Sequence, residues 1–207
     1  MRLPAFLTVL LYVAHTSLAA LAPPFPSINL TSTTPISPFD LPALLPVPSQ
    51  PDVSASELIR TTLGHYPLSI DGKNFGALAL VFAADAVANY SAPLGVLTPL
   101  TTIQAVLASS LEKVTTQHAL STQVIEVLSE SEAFSVTYYT ATHFGMGVYE
   151  GEIAVAYGQY QDYWVLQHES WKIQTRNLVY MGATDWEFLD LHLDAFKFSR
   201  DLVTAVS

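Results

Sequence analysis

The sequence predicts an α+β domain in which three helices precede a run of antiparallel strands. Between Ser54 and Leu111, apolar residues recur at helical spacing and are bounded by capping residues and prolines. Beyond Lys113, four long segments are rich in Val, Ile, Thr, Tyr and Trp and are separated by turn-like residues. Helices followed by strands are typical of an α+β fold, and a sheet curled around the helices would form a cone with a cavity at its open end.

The first residues predict a secretory signal peptide. Arg2 precedes an apolar run from Leu3 to Ala14, and small residues follow as far as Ala19. About a dozen apolar residues are too few to span a bilayer core, which takes roughly twenty. We therefore expect residues 1–19 to be removed after Ala19, and the protein to be secreted or to reside in an endomembrane lumen. This route would permit N-glycosylation at Asn29-Leu-Thr31 and Asn89-Tyr-Ser91, although a glycan fits easily only at the first.

Residues 20–53 have the composition of a linker or pro-segment. Nine of the thirteen prolines lie here, mixed with Ser and Thr and with very few charged residues. Such a composition favours extended and poorly packed chain. An alternative is that the apolar side chains of this segment lie along the surface of the domain; these are Phe25, Ile28, Phe39 and Leu41.

Charge and cysteine content exclude several classes of partner and site. Removal of the signal peptide with Arg2 leaves seven Lys and Arg against eighteen Asp and Glu, a net charge of −11. This excess repels phosphate backbones and anionic lipids, so we expect neither nucleic acid nor membrane partners. There are no cysteines, and the core alone must therefore stabilise the domain, which we place at residues 54–184. The aromatic-rich tail, residues 185–207, could form a lid, a helix or a subunit contact, which leaves homo-oligomerisation open.

The helices are delimited by familiar signals. Ser54 and Glu57 form a capping-box pattern, and the periodicity then continues to Pro67, which would bend or end the first helix. Asp71 could cap a second helix, which would carry Phe75, Leu78, Ala79 and Phe82. The third helix begins at Thr98-Pro99 and runs through Leu111.

Strand parity predicts which side chains point inward. The four predicted strands are His118–Leu128, Ala133–His143, Ile153–Gln167 and Trp171–Met181. In the second strand, His143 shares a face with small residues and with Tyr139, while Phe134, Val136 and Tyr138 lie on the other face. His118 lies on the same face as Leu120, Thr122 and Val124, which again favours an inward imidazole.

Four polar side chains fall within segments that are otherwise built to be buried: Asp71, Tyr90, His118 and His143. Burying an acid and two imidazoles costs free energy unless they bind one another or a ligand. The sequence therefore predicts an acid/base pocket in an apolar shell, although Asp71 could be only a helix cap and each histidine only a core residue. We expect no metal and no cofactor, because no HxH, HxxxH, GxGxxG or P-loop motif is present, and no nucleophile elbow indicates a hydrolase. Asp162 is interpreted as the partner of Arg176.

Several short motifs, taken in order, carry a resemblance to a known family. They are Ile70-Asp71-Gly-Lys-Asn-Phe-Gly-Ala-Leu, Phe82-Ala-Ala-Asp85, Tyr90, Thr116-Gln-His118, Tyr138-Tyr139 leading to His143, Tyr160-Gln-Asp162, and Trp171-Lys-Ile-Gln-Thr-Arg176. The chain resembles the SnoaL-like members of the NTF2-like superfamily and, among them, fungal scytalone dehydratase. This resemblance implies a cone-shaped barrel that performs cofactor-free acid/base chemistry on cyclic polyketides or similar compounds. By the same resemblance, His118 and His143 would transfer protons, Asp71 would orient an imidazole, and Tyr90 would help polarise a carbonyl through water.

Two positions depart from the dehydratase pattern. Ile70 replaces a second tyrosine, and Tyr160 replaces an asparagine, so recognition of scytalone itself is not expected. We expect Tyr66, Tyr139 and Tyr160 to contact an apolar polyketide- or terpenoid-like substrate. The predicted function is that of a lyase or an isomerase/cyclase of secondary metabolite biosynthesis. The alternative is a non-catalytic module of the same fold that binds a small molecule or dimerises.

Overall fold

The computed structural model describes residues 29–45, 47 and 51–182. The expected signal peptide and the tail from residue 185 onward lie outside these residues. The elements in chain order are α1 (Leu41–Leu44), α2 (Val53–Asp71), a 3₁₀ helix (Phe75–Leu80), β1 (Phe82–Asn89), β2 (Val96–Leu97), α3 (Leu100–Ser110), β3 (Val114–Val127), β4 (Glu132–Gly145), a short 3₁₀ helix (Gly147–Tyr149), β5 (Ile153–Gln167) and β6 (Ser170–Tyr180). No helix in the described part of the chain is long and apolar enough to cross a membrane.

One curved sheet of six strands, in the order β2-β1-β6-β5-β4-β3, forms the domain. Helix α2 packs against β3, and α3 packs against β1. The predicted α+β fold is confirmed. The sheet is mixed rather than wholly antiparallel, because β1 pairs with β6 in parallel. The apolar side chains enclosed by the sheet and the helices form the main core; Ile59, Leu63, Ile103, Trp164 and Ile173 are fully buried there.

The first helix is longer than the sequence indicated. It is capped by Asp52, whose side chain accepts a hydrogen bond from the Ala55 amide, and not by Ser54. The helix also continues through Pro67 to Asp71. Asp71 is the last residue of α2, so the alternative that it caps a second helix does not hold. Its carboxylate is consequently available for contacts with the sheet.

The second predicted helix is largely wrong. Residues 75–80 form a 3₁₀ helix, and from Phe82 the chain enters β1. The sequence of β1, Phe-Ala-Ala-Asp-Ala-Val-Ala-Asn, is rich in alanine, which favours a helix when it is judged locally. Pairing with β6, more than eighty residues away, overrides that preference because the small side chains of β1 pack beneath α3.

The strands β3 to β6 agree with the predicted segments to within a few residues, and the parity of β4 is confirmed. Ala133, Tyr139 and Ala141 contribute to the core, whereas Phe134 and Val136 lie on the outer face. The parity of β3 fails beyond Leu120, where the register with β4 shifts. Val124 is consequently exposed, and Gln123 donates to the buried Thr137 hydroxyl (2.9 Å).

Residues 29–45, here termed the strap, cross the outer face of the sheet through turns, bends and the short helix α1. Asn89, Asn177 and Gln161 form a row of neighbours on adjacent strands, and their side-chain amides bind the backbone of the strap. Asn89 donates to Thr33 O and Asn177 donates to Ser32 O, each at 2.8 Å. Gln161 accepts from Ile36 N and donates to Ile36 O, also at 2.8 Å. Leu41 is buried against Phe134, Val136 and Tyr163. This stretch thus follows the alternative of a chain that lies along the domain surface, although Phe39 is exposed; Phe25 and Ile28 lie outside the described residues.

Candidate active site

A carboxylate and an imidazole form a dyad where α2 meets β3. The Oδ1 atom of Asp71 lies 2.7 Å from Nδ1 of His118 and 2.8 Å from the Thr116 hydroxyl, and its Oδ2 accepts from the His118 amide at 2.9 Å. Thr116 and His118 are two residues apart on one strand, so both side chains point to the same face. Three donors therefore hold this carboxylate in one orientation.

The position of Asp71 at the C-terminus of α2 affects the ionisation of its carboxyl group. A negative charge at a helix C-terminus is unfavourable, because the partial charge there is itself negative. Burial also raises the pKa of the Asp71 carboxyl, but the hydrogen bonds from His118 and Thr116 outweigh burial and hold the pKa below its usual value. The ionised carboxylate can only accept, so the proton of a neutral His118 ring resides on Nδ1, and Nε2 is left as a base.

Two phenols form a second polar pair. The hydroxyls of Tyr66 and Tyr90 lie 3.1 Å apart, and both side chains are buried. Burial raises the pKa of each phenol, so both remain protonated at neutral pH. Since one hydroxyl of the pair can donate to the other, a proton remains available for an oxygen atom of a bound molecule.

A buried cation lies beneath the phenols. Arg176 donates to both oxygens of Asp162, at 2.7 and 2.8 Å, and neither side chain is exposed to solvent. This confirms the expected pairing. The guanidinium carbon lies 4.1 Å from the ring centroids of both Tyr66 and Tyr160, at the distance of a cation–π contact. Its Nη1 is buried without a hydrogen-bond acceptor among the described residues.

These groups surround a cavity of about 90 Å³ that opens to solvent. Its polar lining consists of Ser110, His118, His143 and five tyrosines: Tyr66, Tyr90, Tyr139, Tyr160 and Tyr180. The remaining lining is aliphatic, contributed by Ile70, Leu94, Leu107, Leu111, Ala141, Ala156 and Leu178. The ring centroids of His118 and His143 lie 6.1 Å apart, which is close enough for one small molecule to contact both imidazoles.

The structure brings all seven residues singled out from the sequence to one place. His118, His143, Tyr90, Tyr66, Tyr139 and Tyr160 line the cavity, and Asp71 lies behind His118. Sequence reasoning missed Thr116, Ser110 and Tyr180. Strand alternation could have indicated two of them, because Thr116 lies two residues from His118 on β3 and Tyr180 lies two residues from the cavity-lining Leu178 on β6. No pattern in the sequence indicated Ser110.

The arrangement supplies two imidazoles, of which His118 is held as a base by Asp71, and a pair of phenolic donors in a largely apolar site. Within the described ranges, no three His, Asp or Glu side chains converge in a way that could hold a metal ion. The groups present can remove a proton, donate a hydrogen bond to a developing oxyanion and protonate a leaving group.

Comparison with known proteins places the fold in one family. Residues 51–177 match the family described as the SnoaL-like domain. No curated protein matches the chain.

Solved structures share the fold at low sequence identity. Kfla4162 of Kribbella flavida is 17% identical, with a TM-score of 0.59 over 64% of this chain and 95% of that one. The "Putative Scytalone Dehydratase" of Novosphingobium aromaticivorans is 24% identical, with a TM-score of 0.58 over 63% and 87%. A hexachlorocyclohexane dehydrochlorinase, LinA type 2, is 14% identical, with a TM-score of 0.56 over 63% and 87%.

Proposed function

The chain belongs to the SnoaL-like domain family, and on that premise we propose that it catalyses a cofactor-free elimination or isomerisation of a small carbonyl compound. The observation that carries the proposal is that His118 of the Asp71–His118 dyad and the Tyr66–Tyr90 phenol pair line one largely apolar cavity. Two of the structural neighbours bear the names of a dehydratase and a dehydrochlorinase, which are elimination enzymes. Both names are consistent with proton abstraction as the first step.

Each group has a role in an elimination of water. His118 Nε2 removes a proton from the carbon next to the carbonyl, and Asp71 stabilises the imidazolium that forms. The phenol pair donates to the carbonyl oxygen as negative charge develops on it. The electron pair of the broken C–H bond forms the new C=C bond while the C–O bond breaks. His143 donates a proton to the departing hydroxyl group, which leaves as water. In an isomerisation no C–O bond breaks, and the enolate left by removal of the proton is reprotonated at another carbon.

The proton abstraction can be tested without knowledge of the natural substrate. Incubation with cyclohexanone in D₂O, followed by NMR, measures exchange of the protons next to the carbonyl. We expect exchange by the wild-type protein to fall by about a hundredfold or more in His118→Gln and Asp71→Asn, in line with general-base contributions of roughly 10²–10⁴. His65→Gln, a substitution of an exposed histidine on α2, is the matched control and should exchange at the wild-type rate.

A second assay tests the elimination itself. With 3-hydroxycyclohexanone, the product cyclohexenone is followed by its ultraviolet absorbance, and His143→Gln should slow its release more than it slows deuterium exchange. If wild-type protein binds these ketones but neither exchanges their protons nor releases product, the site is that of a carrier, and the enzymatic proposal fails.

We also propose that the protein enters the secretory route and acts in secondary metabolism on a polyketide- or terpenoid-like compound. The leader-like residues 1–19 support the first part, and the apolar, tyrosine-rich cavity supports the second.

Asn29 is exposed, whereas the Asn89 amide nitrogen donates to Thr33 O of the strap, so a glycan on Asn89 would break that bond. Expression through a secretory host should yield an endoglycosidase-sensitive protein, and Asn29→Gln should abolish the sensitivity. Retention of the protein inside the cell, or a glycan that persists in Asn29→Gln, would contradict this assignment.

A further inference from the structure

One wall of the cavity is a stack of aromatic rings. The rings of Tyr139 and Tyr160 are nearly parallel, with an interplanar angle of 13° and centroids 4.3 Å apart. The edge of Tyr66 meets Tyr160 at 5.4 Å, and Arg176 lies against both of these rings. Because each ring is held by the next, Tyr139 cannot move aside without the loss of contacts along the whole stack.

The Tyr139 ring can adopt this position because the residue opposite it on β5 is a glycine. Tyr139 pairs directly with Gly158 on β5, and a Cβ atom at position 158 would lie 2.6 Å from the Tyr139 hydroxyl oxygen. The absence of a side chain there lets the phenol lie along the sheet, where it occupies space that would otherwise extend the cavity. Tyr139 thus sets how deep a bound molecule can reach.

The remaining volume is small. The cavity measures about 90 Å³. A protein cavity of roughly 150 Å³ accommodates benzene, and pockets for drug-sized ligands measure about 300–1,000 Å³. A single six-membered ring can therefore enter part-way with its remainder in the open mouth, whereas a fused tricyclic compound would have to leave most of its rings outside.

Charge limits the ligand as well. None of the described residues that line the cavity is Lys, Arg, Asp or Glu, and the nearest acid is Asp71, behind His118. Arg176 is neutralised by Asp162 and covered by the tyrosine rings. A carboxylate or phosphate on the ligand would lose its hydration, find no lysine or arginine on the cavity wall and meet the charge of Asp71.

We infer that Tyr139, held by its stack on Tyr160 over Gly158, is the size-determining residue of this site and restricts it to neutral carbonyl compounds of about one ring. The inference deepens the proposed function and rests on it, because it assigns the substrate class of the same cavity. It is a statement about binding, so its test does not depend on turnover.

The test is a series of dissociation constants for neutral ketones of increasing size. Cyclohexanone, 1-tetralone and 9-fluorenone have one, two and three rings, and 3-oxocyclohexanecarboxylate adds a charge to the smallest of them. We expect wild-type affinity to fall by about tenfold or more from cyclohexanone to 9-fluorenone, and similarly for the carboxylate. Tyr139→Leu should bind 9-fluorenone about tenfold more tightly than wild type does.

Tyr138→Leu is the matched control, because it removes the same ring from the neighbouring residue on the outer face of β4. It should keep the wild-type order of affinities, as should Tyr139→Phe, which retains the ring. If Tyr139→Leu does not fold, Tyr139→Met removes the ring while it fills more of the space. Tight wild-type binding of 9-fluorenone or of the carboxylate, or a wild-type affinity for 9-fluorenone in the folded Tyr139→Leu or Tyr139→Met variant, would overturn the inference. Loss of deuterium exchange alone would overturn only the proposed catalysis.

Discussion

Arg176→Met should be among the most destabilising single substitutions in the domain. The guanidinium is fully buried and makes two hydrogen bonds to Asp162, so its removal leaves an uncompensated carboxylate in the core. Breaking a buried pair in this way costs about 3–5 kcal/mol. Loss of the cation–π contacts with Tyr66 and Tyr160 adds up to about 2 kcal/mol for a desolvated site. At roughly 2–4 °C per kcal/mol for a protein of this size, the melting temperature should fall by at least about 6 °C.

The double variant Asp162→Leu/Arg176→Met separates the two contributions. It removes both charges, and replacement of a buried ion pair by apolar side chains is often neutral or stabilising. Only the contacts with the tyrosine rings remain lost, so we expect the double variant to be more stable than Arg176→Met alone. The assay is urea unfolding followed by the fluorescence of Trp164, which is buried and hydrogen-bonded to Ser135.

An exposed ion pair provides the control. Arg60 and Glu57 approach to the same 2.7 Å, but their side chains are 49% and 65% exposed. Arg60→Met should therefore change the free energy of unfolding by no more than about 0.5 kcal/mol. The reasoning is refuted if Arg176→Met costs as little as Arg60→Met, or if Asp162→Leu/Arg176→Met loses as much stability as Arg176→Met alone or more.

Three further predictions concern the strap, the dyad and the glycine beneath Tyr139. Gln161→Leu removes both bonds to Ile36, so unfolding free energy should fall by about 1–3 kcal/mol, and amide exchange over residues 30–45 should accelerate while exchange in α2 is unchanged. Because the pKa of Asp71 is lower in the folded protein than its ordinary value of 3.8, the ionised carboxylate stabilises the fold above pH 3.8, and this stabilisation is lost as the pH falls through the lowered pKa. In Asp71→Asn, the urea midpoints at pH 6 and pH 3 should therefore differ less than in wild type. Gly158→Ala forces a Cβ to 2.6 Å from both the Tyr139 hydroxyl and the Val179 carbonyl, so thermal unfolding should report a loss of about 1–3 kcal/mol, and an unchanged melting temperature would contradict the packing described.

The long strands could be predicted because their residues have a strong intrinsic preference for β-structure. Strands β3 to β6 are rich in β-branched and aromatic residues, and the alternation in β4 correctly assigned Tyr139 to the interior and Phe134 to the outer face. Strand β1 could not be predicted, since alanine does not favour a strand and the pairing that holds β1 comes from β6. Its small residues became interpretable only once α3 was known to pack over them.

The candidate site shows the same division between local and distant information. His143 was placed by strand parity, and His118 by the part of β3 that precedes the register shift. The bond between Tyr66 and Tyr90 joins the interior face of α2 to the residue after β1, and no pattern within either segment indicates it. Asp71 was ambiguous for a physical reason: an Asp before Gly is a good helix cap, and only the extension of α2 through Pro67 removes that explanation.

The outer face of the sheet and the candidate site are built from alternate residues of the same strands. Gln161 binds the strap while its neighbours Tyr160 and Asp162 point inward, and Asn177 binds the strap while Arg176 points inward. Because successive side chains of a strand point to opposite faces, the bonds to the strap fix the backbone that carries the ion pair and the aromatic stack. The amides along this row bind backbone atoms of residues 32–36, and the apolar side chains of the strap pack on the same face; these are Leu30, Ile36, Leu41 and Leu45. This explains how a segment with several prolines can be held against the sheet, and why residues 29–45 belong to the scaffold of the site.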